Sequence, residues 1–211
     1  MPVSKPGILL IGAGGHAHAC IDVVEQSGEY EIVGLVGKPE EMRTRHLGYD
    51  VIATDDDLPR LAENYRFALV TVGQVHSPST RIRLYHQLIE LGFSSPSIVA
   101  PSVDVCTHAS LGAGTIVMHG AIVNAGARVG RNCIINTNAL VEHDVVVDDH
   151  CHISTGAILN GSVSVGAGSF VGSGCVIKDG IRIGTSCVLG LGLCVRHDQP
   201  DHSKFVGQNK S

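Results

Sequence analysis

The sequence has no apolar run of about 18 residues, the length that crosses a bilayer, and its start has no signal-peptide pattern. Its 211 residues carry a net charge of −5 without any cluster of lysine or arginine, which argues against nucleic acid as a partner. None of the seven cysteines belongs to a Cys-x-x-Cys pair, so neither a zinc ribbon nor a redox motif is expected. These absences predict a cytoplasmic protein that binds neither a membrane nor nucleic acid.

The motifs of covalent acyl transfer are also absent. The sequence has no Gly-x-Ser-x-Gly turn to expose a nucleophilic serine, and no cysteine stands beside a plausible base. A covalent acyl-enzyme is therefore not expected.

What the sequence does contain is a six-residue repeat. This period does not suit an α-helix, which needs apolar residues at spacings of three and four, and it is typical of a β-helix. Three hexapeptides close one triangular coil, and the aliphatic residue of each side points to the axis. A branched aliphatic residue stands at all 17 positions of the repeat, which are Val99, Val105, Leu111, Val117, Val123, Val129, Ile135, Val141, Val147, Ile153, Leu159, Val165, Val171, Ile177, Ile183, Leu189 and Val195.

The position four residues after each aliphatic residue also turns inward, and it is small in most repeats. Four of the cysteines occupy it, namely Cys133, Cys151, Cys175 and Cys187. We expect these cysteines to act as small buried hydrophobes. Glycine is frequent directly after the aliphatic position and at the corners, where we expect positive φ to favour it.

A different pattern covers the chain from Gly7 to about Gly92. The apolar run Ile8–Ile11 reads as a buried parallel strand, and two further strands are expected near Tyr30–Val36 and Phe67–Val72. Helical patterns alternate with these strands, which predicts a small, Rossmann-like parallel α/β sheet with its ligand at the carboxyl ends of the strands. We therefore expect an α/β domain over residues 1–95, followed by a β-helix over residues 96–211.

Gly12-Ala13-Gly14-Gly15 follows the first strand and precedes a helix. Such a turn lets backbone N–H groups approach a phosphate, and its alternative role is purely structural. The third glycine of a dinucleotide fingerprint is replaced by Ala17, and the sheet is small. Alanine is also small at that position, and the small sheet favours a nucleotide-sugar over a dinucleotide.

His143 stands out among the 12 histidines because Glu142 and Asp144 flank it at an outward corner of the repeat. Neighbouring carboxylates favour the imidazolium form and raise basicity, as a general base working near neutral pH requires. The alternative is a solvated surface histidine. Zinc binding by His150 and His152 is disfavoured, because Cys151 between them takes an inward position and the two histidines point in different directions.

The turn Gly12–His16, the pair Asn136-Thr137 and the triplet Glu142-His143-Asp144 together resemble one group of bacterial acyltransferases. These are the sugar-nucleotide N-acetyltransferases and sialic-acid O-acetyltransferases of the left-handed β-helix superfamily. The resemblance covers the chain from Gly7 to Gly207. It implies a left-handed coil, acetyl-CoA as co-substrate, no resident metal, and a homotrimer that binds acetyl-CoA between neighbouring β-helices.

The resemblance also implies a role for individual residues. His143 is expected to be the general base, and Asp144 to orient it. The expected contacts to acetyl-CoA are His152 near the thioester, Gly161 as a backbone N–H donor to the acetyl carbonyl, and Ser173 and Leu191 along the pantetheine arm. The residues that match the nucleotide-sugar site are Gly14, Gly15, His16 and Gly73.

The chain departs from this group at two places. Val36-Gly37-Lys38 stands where many relatives carry Asp-Asp, and the tail Gly207-Gln208-Asn209-Lys210 replaces Gly-x-Pro-Ala. The expected activity is N-acetylation of a nucleotide-linked 4-amino-4,6-dideoxy sugar by direct attack. The alternatives are O-acetylation of a sialic acid or related sugar, and a trimeric β-helix that binds metal or serves as a scaffold.

Overall fold

The computed structural model describes residues 5–206 of the chain. The chain forms two compact units. The first comprises the chain up to Gly73 together with Ser79–Pro101, and the second comprises Gln74–Pro78 together with the chain from Ser102 onward. The predicted domain boundary between residues 95 and 96 stays a prediction, and the tail from Gly207 lies outside the described residues.

The first unit contains a five-stranded sheet in the order β3-β4-β2-β1-β5. Its strands are β1 (Gly7–Ile11), β2 (Glu31–Gly37), β3 (Arg45–His46), β4 (Tyr49–Thr54) and β5 (Phe67–Val70). All neighbours pair in parallel except β3, which pairs antiparallel with β4. The sheet is therefore mixed, and the sequence pattern had predicted only β1, β2 and β5.

In the described part of this unit, three helices and two 3-10 turns accompany the sheet. The helices are α1 (Gly15–Ser27), α2 (Leu58–Ala62) and α3 (Ser79–Glu90), and the turns are Pro39–Glu41 and Asp55–Asp57. Gly28 ends α1 at φ 69, a conformation that glycine adopts without steric cost. In residues 5–206, no helix is long and apolar enough to cross a membrane.

The core of the first unit lies against β1, β2 and β5. Leu9, Ile11 and Val36 of the strands are fully buried there. Leu84 and Leu88 supply the apolar face of α3 in the same cluster. This packing fixes the carboxyl ends of the strands, where ligands of parallel α/β sheets bind.

The second unit is a parallel β-helix built from strands of two residues each. Parallel pairs join residues one coil apart, such as Val141 with Leu159. One sheet contains β7, β10, β13, β16, β19 and β22, a second contains β8, β11, β14, β17 and β20, and a third includes β9, β12, β15, β18, β21 and β23. The strands after β5 are β6 (Ile98–Val99), β7 (Asp104–Val105), β8 (Ser110–Leu111), β9 (Ile116–Val117), β10 (Ile122–Val123), β11 (Arg128–Val129), β12 (Ile134–Ile135), β13 (Leu140–Val141), β14 (Val146–Val147), β15 (His152–Ile153), β16 (Ile158–Leu159), β17 (Ser164–Val165), β18 (Phe170–Val171), β19 (Val176–Ile177), β20 (Arg182–Ile183), β21 (Val188–Leu189), β22 (Cys194–Val195) and β23 (Lys204–Phe205).

The small inward positions behave as the sequence predicted. Cys133, Cys151, Cys175 and Cys187 are each 0% exposed. Burial raises the pKa of the Cys175 thiol to about 11, so it stays protonated and inert. These four inward cysteines therefore serve packing.

Glycine is required directly after the aliphatic positions for a different reason from the positive φ that was expected. Gly112 and Gly172 do not adopt positive φ. A Cβ on either would lie 2.5 Å from backbone of the next coil, at Gly130 and Gly190 respectively. The requirement at this position is close approach of two coils, and positive φ is found at the corner residues instead.

Candidate active site

The triplet Glu142-His143-Asp144 forms the corner that follows β13. Asp144 adopts φ 59, in the left-handed region, and its carboxylate Oδ2 lies 3.0 Å from Nδ1 of His143. The backbone N–H of His143 donates to Oε2 of Glu142 at 3.2 Å. Because a carboxylate only accepts hydrogen bonds, Nδ1 carries the hydrogen and Nε2 is left with the lone pair when the ring is neutral.

The surroundings of His143 raise its pKa above the ordinary value. The hydrogen bond to Asp144 is the largest cause, and partial burial opposes it. The negative charges of Asp144, Glu142 and Asp179 add to the increase. Asp179 was not singled out from the sequence; it stands two coils beyond His143 on the same corner. The imidazole is thus a stronger base than an isolated histidine.

Gly161 stands one coil beyond His143 and lies against its ring. A Cβ on Gly161 would come within 2.6 Å of both Cε1 and Nε2 of His143. The two coils are also joined by backbone, since Ser162 N–H donates to the His143 carbonyl at 2.9 Å. The structure therefore brings His143, Asp144 and Gly161 together, and a side chain at position 161 would displace the imidazole.

His152 lies elsewhere in the second unit, in β15 of the third sheet, whereas His143 follows β13 of the first. It is 6% exposed. Its Nδ1 donates to the carbonyl of Gln74 at 2.7 Å, so Nε2 accepts from Nδ2 of Asn136 at 3.2 Å when the ring is neutral. The ring also packs edge-on against Phe170, with centroids 5.2 Å apart. Its expected contact with acetyl-CoA stays a prediction.

Ser173 and Leu191 occupy one corner on consecutive coils. Gly192 N–H donates to the Ser173 carbonyl at 2.8 Å, which joins these coils. The Ser173 hydroxyl lies 2.9 Å from that of Ser154, and Leu191 is 80% exposed. The Leu191 side chain is thus accessible from outside the coil, and the expected contacts of Ser173 and Leu191 with acetyl-CoA stay predictions.

The two histidines weighed as zinc ligands have separate environments. His150 adopts φ 64 at a corner, and its Nδ1 lies 2.9 Å from Nδ2 of Asn132. His152 is held by Gln74 and Asn136 as described. Within residues 5–206, no three side chains of His, Cys, Asp or Glu converge as metal ligands would.

A cavity of about 380 Å³ opens in the first unit at the carboxyl ends of its strands. The four residues expected to bind a nucleotide-sugar all line it, namely Gly14, Gly15, His16 and Gly73. A Cβ on Gly14 or Gly15 would meet nothing within 4 Å, so the space beside this turn is open. The first N–H groups of α1 lie here, where a helix favours an anion.

Gly12 has a conformational role in the same turn. It adopts φ 121, and a Cβ would lie 2.6 Å from Cγ2 of Val72. This close approach lets β1 turn into α1 beside the end of β5. A larger residue would move the turn that lines the cavity.

Several residues of the cavity wall were missed in the sequence. Arg83 of α3 pairs with Asp55 at 2.9 Å, and Lys38, Glu41 and Thr80 also line the cavity. These residues are far apart in the chain, and no local motif joins them. Their one sequence signal is position, because Lys38, Glu41 and Asp55 follow strands of the sheet, and Thr80 and Arg83 lie in the first half of α3.

The first unit matches the family model described as the PglD N-terminal domain over residues 7–88. A comparison with curated protein sequences gives no match.

Solved structures match nearly the whole chain. A perosamine N-acetyltransferase from Caulobacter crescentus, a variant with one histidine replaced by asparagine in complex with CoA and GDP-perosamine, is 32% identical, with a TM-score of 0.88 over 95% of this chain and 93% of that chain. The acetyltransferase domain of PglB from Neisseria gonorrhoeae, in complex with acetyl coenzyme A, is 30% identical, with a TM-score of 0.86 over 94% of this chain and 95% of that chain. WeeI from Acinetobacter baumannii is 16% identical, with a TM-score of 0.71 over 93% and 94%, and shares the fold. The expected fold class, an α/β domain followed by a left-handed parallel β-helix, is confirmed.

Proposed function

Because the chain belongs to the hexapeptide-repeat sugar N-acetyltransferase family, we propose that it moves the acetyl group of acetyl-CoA to the amine of a nucleotide-linked 4-amino-4,6-dideoxy sugar. The observation that carries the proposal is the corner at His143, where a hydrogen bond of 3.0 Å to Asp144 leaves Nε2 as a proton acceptor. The relative from Caulobacter crescentus, which binds CoA and GDP-perosamine, supports this choice of substrates.

His143 is the general base of the proposed reaction. The amine nitrogen of the sugar attacks the thioester carbon of acetyl-CoA, and its proton passes to Nε2 of His143. The carbon–sulfur bond then breaks, and CoA leaves with a proton as the free thiol. The raised pKa of His143 strengthens the base, and the ring is active in its neutral form. Asp144 orients the ring and stabilises the imidazolium that forms.

Gly161 supplies the backbone N–H that stabilises the oxyanion on the acetyl carbon. Its place against the edge of the His143 ring supports this role, because the donor and the base then reach the same reacting group. Removing one oxyanion donor from an enzyme costs about 100-fold or more in kcat.

Acetyl-CoA lies between neighbouring subunits of a homotrimer in this proposal. The exposed Leu191 and the Ser173 hydroxyl on the same corner supply an apolar and a polar contact for the pantetheine arm. His152 contacts the same molecule near its thioester. Holding both substrates in fixed geometry accounts for much of the acceleration of such a bimolecular step.

The diphosphate of the acceptor lies against the first turn of α1. Gly14 and Gly15 leave open space there, and the cavity of about 380 Å³ has the size of a small-molecule site. His16 and Gly73 line the same wall. An open turn at the N-terminus of α1 that can accept a phosphate favours a nucleotide-linked acceptor over a free sugar such as sialic acid.

The test is a panel of acceptors with release of the CoA thiol as the readout. UDP-, GDP- and dTDP-linked 4-amino sugars are compared with free sialic acid. We expect thiol release with at least one amino-sugar nucleotide, and a loss of several orders of magnitude in kcat for His143→Ala with an unchanged melting temperature. Near-normal turnover in that variant, or activity on the free sugar alone, would contradict the proposal.

A further inference from the structure

A carboxylate stands beside the end of β2, although β2 itself ends without an acid. Glu41 closes the 3-10 turn Pro39–Glu41 that follows β2, and its side chain lines the cavity. Its Oε2 accepts a hydrogen bond of 2.8 Å from the backbone N–H of Lys38. This bond fixes the direction of the side chain and leaves Oε1 to accept from a ligand.

Gly37 provides the room for this carboxylate. A Cβ at Gly37 would lie 2.9 Å from Oε2 of Glu41, 3.0 Å from Val51 and 3.2 Å from Ala13. A side chain at position 37 would therefore push the Glu41 carboxylate away. Glycine at position 37 leaves the end of β2 without an acid, and it also leaves the space that the Glu41 carboxylate occupies.

The second carboxylate of the cavity is already neutralised. Asp55 forms an ion pair with Arg83 at 2.9 Å. Within the described part of the chain, Glu41 has no cationic partner and only the Lys38 N–H as a donor. A negative group of this kind repels phosphate and attracts a hydroxyl donor.

We propose that Glu41 accepts a hydrogen bond from the ribose 2′-hydroxyl of the nucleotide, so that the acceptor is a ribonucleotide sugar and not a 2′-deoxyribonucleotide sugar. In nucleotide-binding α/β sheets, an acid beside the end of the second strand binds the ribose while the phosphates lie on the first helix. Here the α1 turn and Glu41 line the same cavity. The inference rests on the proposed function and narrows its substrate class.

The test measures nucleotide binding without catalysis. Titration calorimetry compares GDP with 2′-deoxy-GDP, UDP with 2′-deoxy-UDP, and CMP with 2′-deoxy-CMP on the full chain. For the base that binds, we expect wild type to prefer the ribonucleotide by about tenfold, the value of one hydrogen bond to a charged group. Glu41→Ala should bind the ribonucleotide no more tightly than the deoxynucleotide, because the loss of the negative charge affects both ligands equally and the loss of the hydrogen bond affects only the ribonucleotide.

Glu40→Ala is the matched control, because Glu40 is exposed on the same turn and does not line the cavity. It should keep the wild-type preference. If Glu41→Ala fails to fold, Glu41→Gln keeps an acceptor for the Lys38 N–H, and it should still reduce the preference several-fold.

Equal binding of ribo- and deoxynucleotides by wild type, a preference that persists without Glu41, or no binding of any nucleotide would each overturn the inference. The acetyl-transfer panel judges the proposed function separately. If the enzyme acetylates an amino-sugar nucleotide but shows no ribose preference, the proposed function stands and only the role of Glu41 is wrong. If it acetylates no amino-sugar nucleotide, the proposed function is wrong, whether or not the protein binds nucleotides.

Discussion

Replacing Gly161 with alanine should remove most of the activity while leaving the fold in place. The added Cβ would lie 2.6 Å from Cε1 and Nε2 of His143, whereas ordinary contact begins at 3.4 Å. The ring must therefore move by roughly 0.8 Å. It can do so, because the His143 side chain is 61% exposed. A displacement of about 1 Å in a reacting group costs about 100-fold in rate, which is the fall in kcat that we expect.

The stability of the Gly161→Ala variant should not fall. Gly161 is not at positive φ, so alanine can adopt its backbone conformation. A substitution of this kind at a compatible position stabilises by about 0.4–1 kcal/mol through the unfolded state. Alanine also keeps the backbone N–H, so a loss of activity reports the position of the imidazole and not the loss of an oxyanion donor.

Thiol-release kinetics and thermal unfolding measure the two effects. Gly180→Ala is the control, because Gly180 is a corner glycine of the next coil with φ 70 and open space around it. It should lose about 1 kcal/mol of stability and keep its kcat. In a His143→Ala background, Gly161→Ala should have little further effect on kcat, because the two residues act together. A Gly161→Ala enzyme with a wild-type kcat would show that the position of the His143 imidazole does not limit the reaction.

Two further predictions concern the same unit. Asp144→Asn should lower the pKa of His143, because the hydrogen bond to the carboxylate is the main cause of its elevation. Since the neutral ring is the base, the acid limb of kcat/KM should shift to lower pH and the maximal rate should fall; an unmoved limb in a profile from about pH 5 to 9 would show that another group titrates. Leu191→Ser should raise the KM for acetyl-CoA several-fold without lowering the melting temperature of the subunit, because Leu191 is 80% exposed, and an unchanged KM would remove it from the proposed site.

The β-helix could be predicted from the sequence because each aliphatic residue of the repeat meets its equivalent one coil away. Val141 and Leu159, for example, are separated by one coil in the chain and paired in the sheet. The expectation that positive φ explains the glycines directly after these positions was wrong. Glycine is needed there because neighbouring coils approach closely, as Gly112 and Gly130 do. A single hexapeptide does not contain that information.

The sheet of the first unit was only partly predictable. The sequence pattern did not predict β3 and β4. In the structure, Leu47 and Gly48 between them adopt positive φ, as a tight hairpin turn requires. β3 has two residues, and β4 alternates buried and exposed side chains instead of forming an apolar run. The apolar runs of β1 and β5 were visible because both faces of those strands are covered.

The candidate site was also only partly predictable from the sequence. The turn at Gly14 and the triplet around His143 are each contiguous in the chain, so they could be recognised from residue type and spacing. Glu41 and Arg83 reach the cavity only because strand order brings the ends of separate elements together. The burial of His152 depends on Gln74, which is 78 residues away in the chain.

Asp144 satisfies two requirements that restrict its substitution independently. Its backbone has φ 59, which glycine, asparagine and aspartate tolerate best. Its side chain must accept the Nδ1 hydrogen of His143 and carry a negative charge, which only aspartate and glutamate provide. Among these residues, aspartate alone belongs to both sets. A library that randomises position 144 should therefore return aspartate under selection for activity, and a mixture of aspartate, asparagine and glycine under selection for folding alone.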